Sequence, residues 1–344
     1  MMVRPKAMNA PTVDDVARHA GVSTATVSRC LNDPARVREP TRRKVLDAVN
    51  ALGYAPNFGA RTLVLNRTNI MGAVIPTMDN AIFARGIQAL QERLAEDDVT
   101  LLVSTSNYSP ERELTQIRAL ISRGVDGLML IGEARDERAY ELLYQRDMPF
   151  VLAWTWKAKC PHLCVGFDNE AAGVMVAREV IGCGHQRLAM IAGIGKGNDR
   201  ATERLRGVRK AARRAKLPLA RNMVIEAEYS FEAARAAMLR LMAATPTPTA
   251  VICGNDVLAV GALTGAHELG KRVPEDVSIV GFDDIDIAKF TNPALTTVHV
   301  PHHGMGRLAA EQLLAMRSGE AHPVSQRLDV EFVWRRSLAA PATS

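Results

Sequence analysis

The residues whose types and spacing could do chemistry lie near the amino terminus, on one face of a short helix expected over residues 24–31. They are Thr24, Ala25, Ser28 and Arg29. Two of these side chains are small, so the face can lie against base edges in a DNA major groove, and Arg29 can bind a guanine or a phosphate. The alternative is a generic three-helix cap on a larger protein, in which this face is only solvated.

Three short helices are expected to hold this face. Thr12 can cap the first helix, Gly21 can end it in a left-handed conformation, and Ser23 can cap the second. The third begins near Glu39–Pro40, with Arg38 in place of a good capping residue. The apolar residues that recur at helical spacing are Val13, Val16, Ala17 and Ala20, then Val27, Cys30 and Leu31, then Val45, Val49 and Leu52. This pattern predicts a helix-turn-helix.

Charge supports a nucleic-acid contact at this end of the chain. The chain has 344 residues and a net charge of +6. Residues 1–67 contain eleven lysines and arginines and five acids, so they carry the whole surplus, and the rest of the chain is neutral. A basic module on a neutral body favours a polyanion as the partner. A solvated basic tail is the alternative.

The amino-terminal pattern also resembles a known family. Four stretches are similar to the start of lactose/galactose-repressor (LacI/GalR) family transcription regulators. They are Thr-Val-Asp-Asp-Val-Ala-Arg-His-Ala-Gly-Val-Ser-Thr-Ala-Thr-Val-Ser-Arg over residues 12–29, Leu31-Asn32, Thr41-Arg-Arg-Lys-Val45 and Leu52-Gly-Tyr-Ala-Pro-Asn57. The resemblance implies a homodimer that reads half-sites of a near-palindromic double-stranded DNA operator. The DNA-contacting residues that it implies are Thr12, Ser23, Thr24, Ala25, Thr26, Ser28, Arg29, Asn32, Tyr54, Asn57, Ala60 and Leu63.

Residues 57–67 fall where this family has its hinge helix. The resemblance implies that two hinges pair and enter the minor groove, where Leu63 wedges into the central base step and Ala60 packs behind it. The segment is too short to be stable alone, and Gly59 weakens it further, so we expect it to fold on DNA. An inert linker is the alternative.

The rest of the chain alternates short apolar runs with amphipathic stretches. Such runs, separated by crossover helices, predict parallel sheets, and their number predicts two lobes. The expected strands are 70–75, 100–104, 127–131, 150–153, 187–192, 223–227, 250–253 and 277–282. The expected fold is therefore an all-α headpiece (residues 11–56), the hinge (57–67) and a two-lobe α/β domain that resembles periplasmic sugar-binding proteins (68–338).

In such sheets a ligand binds beyond the carboxyl ends of the strands. The resemblance implies a small sugar or sugar-acid effector contacted by Arg204, Asn255 and Asp283. Phe83 could supply an apolar floor, and Trp154 and His302 align more loosely with pocket-lining positions. Other interpretations are that Asn255 only caps a helix, that Phe83 belongs to the core and that Arg204 pairs with an acid. A sugar ring could stack on Trp154, or an anionic ligand such as a sugar acid could face Arg204 and Arg85. The run Val165-Gly-Phe-Asp-Asn169 is most similar to a gluconate-type branch, which favours the sugar acid.

Enzymatic interpretations have little support. The run Gly193–Gly197 fits neither phosphate-loop pattern, and GxSxG and HExxH motifs do not occur. Residues 160–164 offer two cysteines and a histidine without a second zinc-spaced cluster, so we expect no metal and no cofactor. Five cysteines in so long a chain are not a disulfide framework, so we expect a reducing cytoplasm. The apolar runs are too short for a membrane span or a secretory signal, so we expect neither. The alternative to a repressor is a cytoplasmic sugar-binding protein or sugar enzyme with a vestigial headpiece.

Overall fold

The computed structural model describes residues 10–32, 34–55, 67–79, 81–319 and 323–342. The chain divides into two compact units, residues 1–68 and 69–344. In the first unit the helices are α1 (Val13–Ala20), α2 (Thr24–Asn32) and α3 (Glu39–Leu52), with a 3₁₀ turn at Pro34–Arg36.

The amino-terminal unit has the helices that the sequence predicts. Thr12 and Asp15 form a reciprocal capping box at the start of α1, and Gly21 ends it at φ 65°. The Ser23 hydroxyl accepts from the backbone N–H of Thr26, while Arg38 makes no side-chain cap for α3. The small core that joins the three helices consists of Val16, Ala17, Val27, Cys30, Val45 and Ala48.

The larger unit has two sheets of parallel strands. The strands are β1 (Ile70–Ile75), β2 (Thr100–Thr105), β3 (Gly127–Ile131), β4 (Phe150–Ala153), β5 (Cys164–Gly166), β6 (Leu188–Gly193), β7 (Val224–Ala227), β8 (Ala250–Cys253), β9 (Ser278–Val280), β10 (Thr297–His299), β11 (Gln326–Arg327) and β12 (Glu331–Val333). Among the described residues the first sheet has the order β11-β5-β4-β3-β1-β2, and the second has the order β7-β6-β8-β9. Strands β10 and β12 pair antiparallel beside β9.

Crossover helices cover these sheets, and the chain passes between the lobes after β5, after β10 and after β11. The helices are α4 (Ala81–Ala95), α5 (Pro110–Ser122), α6 (Glu137–Gln145), α7 (Asn169–Gly182), α8 (Asp199–Arg214), α9 (Phe231–Met242), α10 (Asp256–Glu268), α11 (Ile287–Phe290) and α12 (His302–Ser318), with a 3₁₀ turn at Arg221–Met223. Because the strands are buried on both faces, they consist of nearly continuous apolar runs, as in β3 and β8.

Close backbone contact fixes two helix pairs. A Cβ on Gly306 of α12 would lie 1.9 Å from the Gly86 carbonyl oxygen of α4, and one on Gly207 of α8 would lie 2.1 Å from the Glu170 carbonyl oxygen of α7. Only glycine permits such close packing. The second contact matters for the site described below, because α7 and α8 carry two of its polar side chains.

The eight expected strands all occur in the expected order, and their ends differ from the expected ones by at most two residues. The sequence pattern does not predict the short strands β5, β10, β11 and β12, because runs of two or three residues are too short to show a periodicity. In the described part of the chain, no helix has the length and apolar character that crossing a membrane requires.

Candidate functional site

The outer surface of α2 offers four exposed side chains without apolar bulk. Thr24, Ala25, Ser28 and Arg29 are all exposed, while Val27 and Cys30 on the opposite face are buried. Thr26 is half-buried, and its hydroxyl lies 2.9 Å from the Ser23 hydroxyl. Tyr54, just after α3, is half-buried and packs against the helix core. The surface therefore has the small side chains and the arginine guanidinium with which a helix can contact base edges in a DNA groove.

A second cluster of side chains lies between the two lobes of the larger unit, where strands of both sheets end. Ile82, Phe83, Tyr108 and Trp154 come from the first lobe, whereas Arg200, Arg204, Tyr229, Asn255 and Asp283 come from the second. Tyr108 follows β2, Trp154 follows β4, and Asn255 follows β8. The cluster thus occupies the carboxyl edges of both sheets, the usual ligand position in open α/β folds.

Three of these residues have a backbone that L-residues rarely adopt. Tyr108, Trp154 and Asp283 have φ values of 57°, 60° and 106°. Each such position costs about 1–3 kcal/mol, so it persists only where the surroundings hold it. At Trp154 the backbone N–H donates to the Val165 carbonyl (3.1 Å), and the carbonyl accepts from the Asn169 amide (3.0 Å). Such strain is typical of residues that line a binding site.

Arg204 is buried and held on several sides. Its Nε donates to the Asn169 side-chain oxygen (2.9 Å), and its Nη1 donates to the Gly254 carbonyl (2.8 Å). Its guanidinium carbon lies 3.8 Å from the centre of the Phe282 ring. Its Nη2 lies 3.6 Å from Asp283 Oδ1, close enough for an ion pair but not for a hydrogen bond. The arginine is therefore positioned before any ligand arrives.

Asn255 and Asp283 present buried polar atoms without protein partners. The Asn255 oxygen caps α10 by accepting from the Leu258 N–H (2.8 Å), but its Nδ2 has no hydrogen-bond partner among the described residues. The two carboxylate oxygens of Asp283 also have no hydrogen-bond partner among the described residues, although the residue is only 1 % exposed. Burial raises the pKa of Asp283 to about 7, against the opposing effect of Arg204 and Arg200. Buried polar groups of this kind normally have partners, so the pair can offer a donor and an acceptor to a ligand.

Trp154 forms the apolar wall of this cluster. Its ring packs edge-on against Phe83, with 5.5 Å between ring centres, and its Nε1 donates to His302 Nδ1 (3.0 Å). Since His302 Nδ1 accepts, the neutral ring carries its proton on Nε2. Burial lowers the pKa of His302 to about 3, so the ring is neutral at physiological pH. Its Nε2 lies 4.0 Å from Asp283 Oδ1.

Two tyrosines divide the cleft into an inner and an outer chamber. Tyr108 and Tyr229 approach to 5.5 Å between ring centres and line both chambers. The inner chamber, next to Asp283, has about 20 Å³ of free space, room for about one water. The outer chamber has about 610 Å³, a volume typical of small-molecule sites. Both tyrosines therefore lie at the boundary between the two chambers.

Ion pairs also hold the two lobes together near this cleft. The Lys157 ammonium pairs with Glu133 of the first lobe and with Glu203 of the second (2.7 Å). The Asp199 carboxylate at the start of α8 accepts from the Glu133 N–H (2.8 Å). Because these contacts would break as the cleft opens, they favour the closed arrangement.

Both units match known protein families. Residues 12–57 match the model of bacterial regulatory proteins of the lacI family, and residues 177–338 match a periplasmic binding protein-like domain. The chain is 33% identical over 330 residues to the HTH-type transcriptional repressor PurR of Photobacterium profundum, with 95% of this chain and 98% of the relative covered. The chain belongs to the lacI family. It is a DNA-binding transcriptional repressor of this family, as its match to the lacI-family model and its similarity to the repressor PurR show.

Solved structures of similar transcription regulators have the same fold. A lac repressor dimer bound to operator and the anti-inducer ONPF is 27% identical, with a TM-score of 0.86 over 96% of this chain and all of that one. A complex of the regulator CelR with cellobiose is 29% identical, with a TM-score of 0.71 over 95% of this chain and 99% of that one. The predicted headpiece and two-lobe α/β fold are therefore confirmed.

The structure brings together most of the effector residues that the sequence predicts for this lacI-family protein. Phe83, Trp154, Arg204, Asn255 and Asp283 line one cavity. His302 instead stands behind Trp154 as the first residue of α12. The alternative roles also occur, since Asn255 caps α10, Phe83 joins the core and Arg204 faces Asp283. Arg85 pairs with Asp286 and is not among the residues that line this cavity.

Other predicted residues lie outside the described part of the chain. They are Asn57, Ala60, Leu63 and the side chain of Asn32. The roles inferred for them from the family resemblance stay predictions.

Sequence reasoning missed Tyr108, Tyr229 and Arg200. The two tyrosines follow β2 and β7 closely, so applying the strand-end rule to every strand would have found them. Arg200 stands one helical turn before Arg204 on α8, a spacing that places both on the same face. In the described residues, no group of three or more histidines, cysteines or acids could hold a metal ion.

Proposed function

We propose that this lacI-family repressor binds a near-palindromic operator as a dimer and is controlled by a neutral, sugar-like effector held between its lobes. The observation that carries the effector proposal is that buried polar atoms of Asn255 and Asp283, beside Trp154, have no hydrogen-bond partner in the part of the chain that the structure describes. An effector that presents hydroxyl groups can donate to the carboxylate and accept from the amide, while its apolar face lies on the indole.

Charge balance favours a neutral effector over a sugar acid. Arg204 faces Asp283, and Arg200 pairs with Asp199 (3.1 Å), so each guanidinium near the cavity has an acidic counterpart. A carboxylate placed beside Asp283 would meet a like charge in a buried site. The similar CelR structure is a complex with cellobiose, a neutral sugar, which supports a neutral sugar as the effector of this chain.

The proposal is tested with DNA from upstream of the protein's own gene. Fluorescence anisotropy measures its affinity for the full chain over a salt series, and thermal shift screens neutral sugars, sugar acids and phosphosugars. We expect affinity to fall steeply with salt, because several basic side chains displace counterions. We also expect at least one neutral sugar both to raise the melting temperature and to change DNA affinity. A response to sugar acids alone would contradict the neutral-effector proposal.

Arg29 is expected to be a main determinant of DNA affinity. Its guanidinium is on the exposed surface of α2, and a good bidentate contact to a base contributes about 1–3 kcal/mol. Arg29→Ala should therefore weaken operator binding by about 10- to 100-fold. Arg214→Ala removes the same charge from an exposed position at the end of α8 and should leave binding within about twofold. Equal losses in both variants would assign the effect to net charge alone.

An exposed apolar patch supports the dimer. Phe290 of α11 is 82 % exposed, and Ile287, one turn earlier on the same short helix, is exposed too. Such a patch is costly in water and is typical of an interface.

Phe290→Asp should therefore convert the dimer into a monomer. A charge at the centre of an apolar interface costs several kcal/mol of association free energy. Light scattering after size-exclusion chromatography gives the mass, and Val324→Asp, at an exposed position on the first lobe, should remain dimeric. A dimeric Phe290→Asp protein would remove this patch from the interface.

A further inference from the structure

Two cysteines meet in the loop that leads into β5. Cys160 is half-buried in that loop, and Cys164 is buried as the first residue of the strand. Their sulfur atoms are 2.8 Å apart, with the Cys164 thiol placed to donate to Cys160. Both thiols are free in this structure, so the contact is between two reduced sulfurs. Neither DNA binding nor effector binding uses this pair.

The surroundings make Cys160 the more acidic thiol. The hydrogen bond from Cys164 lowers the pKa of Cys160 to about 7, with further help from the His162 backbone and the Lys157 ammonium. The same hydrogen bond, together with burial, raises the pKa of Cys164. A partly exposed thiolate beside a buried thiol is the arrangement of an attacking and a resolving cysteine.

We propose that Cys160 and Cys164 are a peroxide-reactive pair that closes into an intramolecular disulfide. The Cys160 thiolate attacks one oxygen of hydrogen peroxide and breaks the O–O bond, which gives a sulfenic acid and hydroxide. The Cys164 sulfur, losing its proton, then attacks the Cys160 sulfur and the hydroxyl leaves as water. The two sulfurs together lose two electrons, and the peroxide is reduced to water and hydroxide. A cellular thiol reductant reverses the change.

The position of the pair links this oxidation to the cleft. The loop between β4 and β5 begins at Trp154 and carries Lys157, the ammonium that joins Glu133 and Glu203 across the lobes. Closing the disulfide fixes the far end of that loop to β5. We therefore expect slower amide hydrogen exchange in residues 157–163 of the oxidised protein than in the reduced protein.

Peptide mapping tests the chemistry directly. Trypsin releases Cys160–Arg178 as one peptide that contains both cysteines and no third. After treatment of the reduced full chain with one equivalent of peroxide, this peptide should be lighter by two hydrogens and should regain them with dithiothreitol. Cys160 should also react with iodoacetamide at least about tenfold faster than half-buried Cys183, whose pKa burial raises. An unchanged peptide would overturn the proposal.

Variants separate the two roles. Cys160→Ser should lose both the fast alkylation and the disulfide, whereas Cys164→Ser should keep a reactive Cys160 that stops at a sulfenic acid and is trapped by dimedone. Cys183→Ser is the matched control and should behave as the parent chain does. If Cys164→Ser does not fold, the mapping on the parent chain still decides. Formation of the disulfide through Cys183 instead would refute the assignment.

Discussion

Asp283→Asn is expected to stabilise the 69–344 unit at pH 8 while it weakens effector binding by about 10- to 100-fold. The loss of binding follows because the amide replaces one of the two acceptor oxygens of the carboxylate with an NH2 group, which donates and cannot accept a hydroxyl proton. The gain in stability follows because both carboxylate oxygens are buried without hydrogen-bond partners among the described residues. The folded state therefore keeps a costly charge in place for a ligand.

The pH dependence has a definite sign. The folded pKa of Asp283 is raised to about 7, above its ordinary value of 3.8, so between these values the folded state holds a proton that the unfolded chain releases. The stability that this proton provides is fully present below pH 3.8 and is lost as pH rises through about 7. At about 1.4 kcal/mol per pKa unit, the full loss is about 4 kcal/mol. The amide in the Asp283→Asn variant does not titrate, so the variant's advantage over the parent grows from pH 5 to pH 8.

Urea unfolding followed by tryptophan fluorescence measures this difference, because Trp154, Trp156 and Trp334 all lie in the 69–344 unit. Asp276→Asn is the control. Asp276 is exposed, so its contribution to the free energy of unfolding is small. Hydrogen bonds with Arg272 lower its pKa to about 2, so this contribution is lost at low pH and not at high pH. If the free energies of unfolding of the parent and of Asp283→Asn differ by the same amount from pH 5 to pH 8, the pKa of Asp283 is not raised in the folded protein.

The same titration predicts proton release on effector binding. A sugar whose hydroxyls donate to Asp283 favours its ionised form, so binding lowers the pKa from about 7. Near pH 6 the effector should therefore displace a fraction of a proton per subunit, and its affinity should rise with pH up to about 7. Calorimetry in buffers of different ionisation enthalpy measures this release, and Asp283→Asn should lack it.

Most of the fold, and part of the site, could be predicted from the sequence. Apolar periodicity and capping residues such as Thr12 and Gly21 depend on neighbours within one or two turns, so the pattern contains them. The left-handed backbone at Trp154 and Asp283 has no such local signal, since tertiary contacts such as the hydrogen bond from Asn169 hold it. The meeting of Tyr108 and Tyr229 depends on how closely the lobes approach, which no single segment encodes.

Gly207 affects the effector site through helix packing and not through contact with a ligand. It stands three positions after Arg204, and its missing Cβ lets α8 press against the backbone of α7 at Glu170. That approach sets Arg204 of α8 beside Asn169 of α7. Gly207 is therefore required for packing, and through that packing it also positions Arg204.

Gly207→Ala is accordingly expected to destabilise the 69–344 unit by about 3 kcal/mol. The new methyl would lie 2.1 Å from the Glu170 carbonyl oxygen and 2.8 Å from the Val174 nitrogen, and backbone atoms cannot turn aside as a side chain can. The helices must separate, which draws Arg204 away from Asn169 and weakens effector binding as well. Gly182→Ala is the matched control, because its methyl meets nothing within 4 Å and gains helix propensity. Equal urea midpoints for the two variants would show that the α7–α8 contact can relax at no cost.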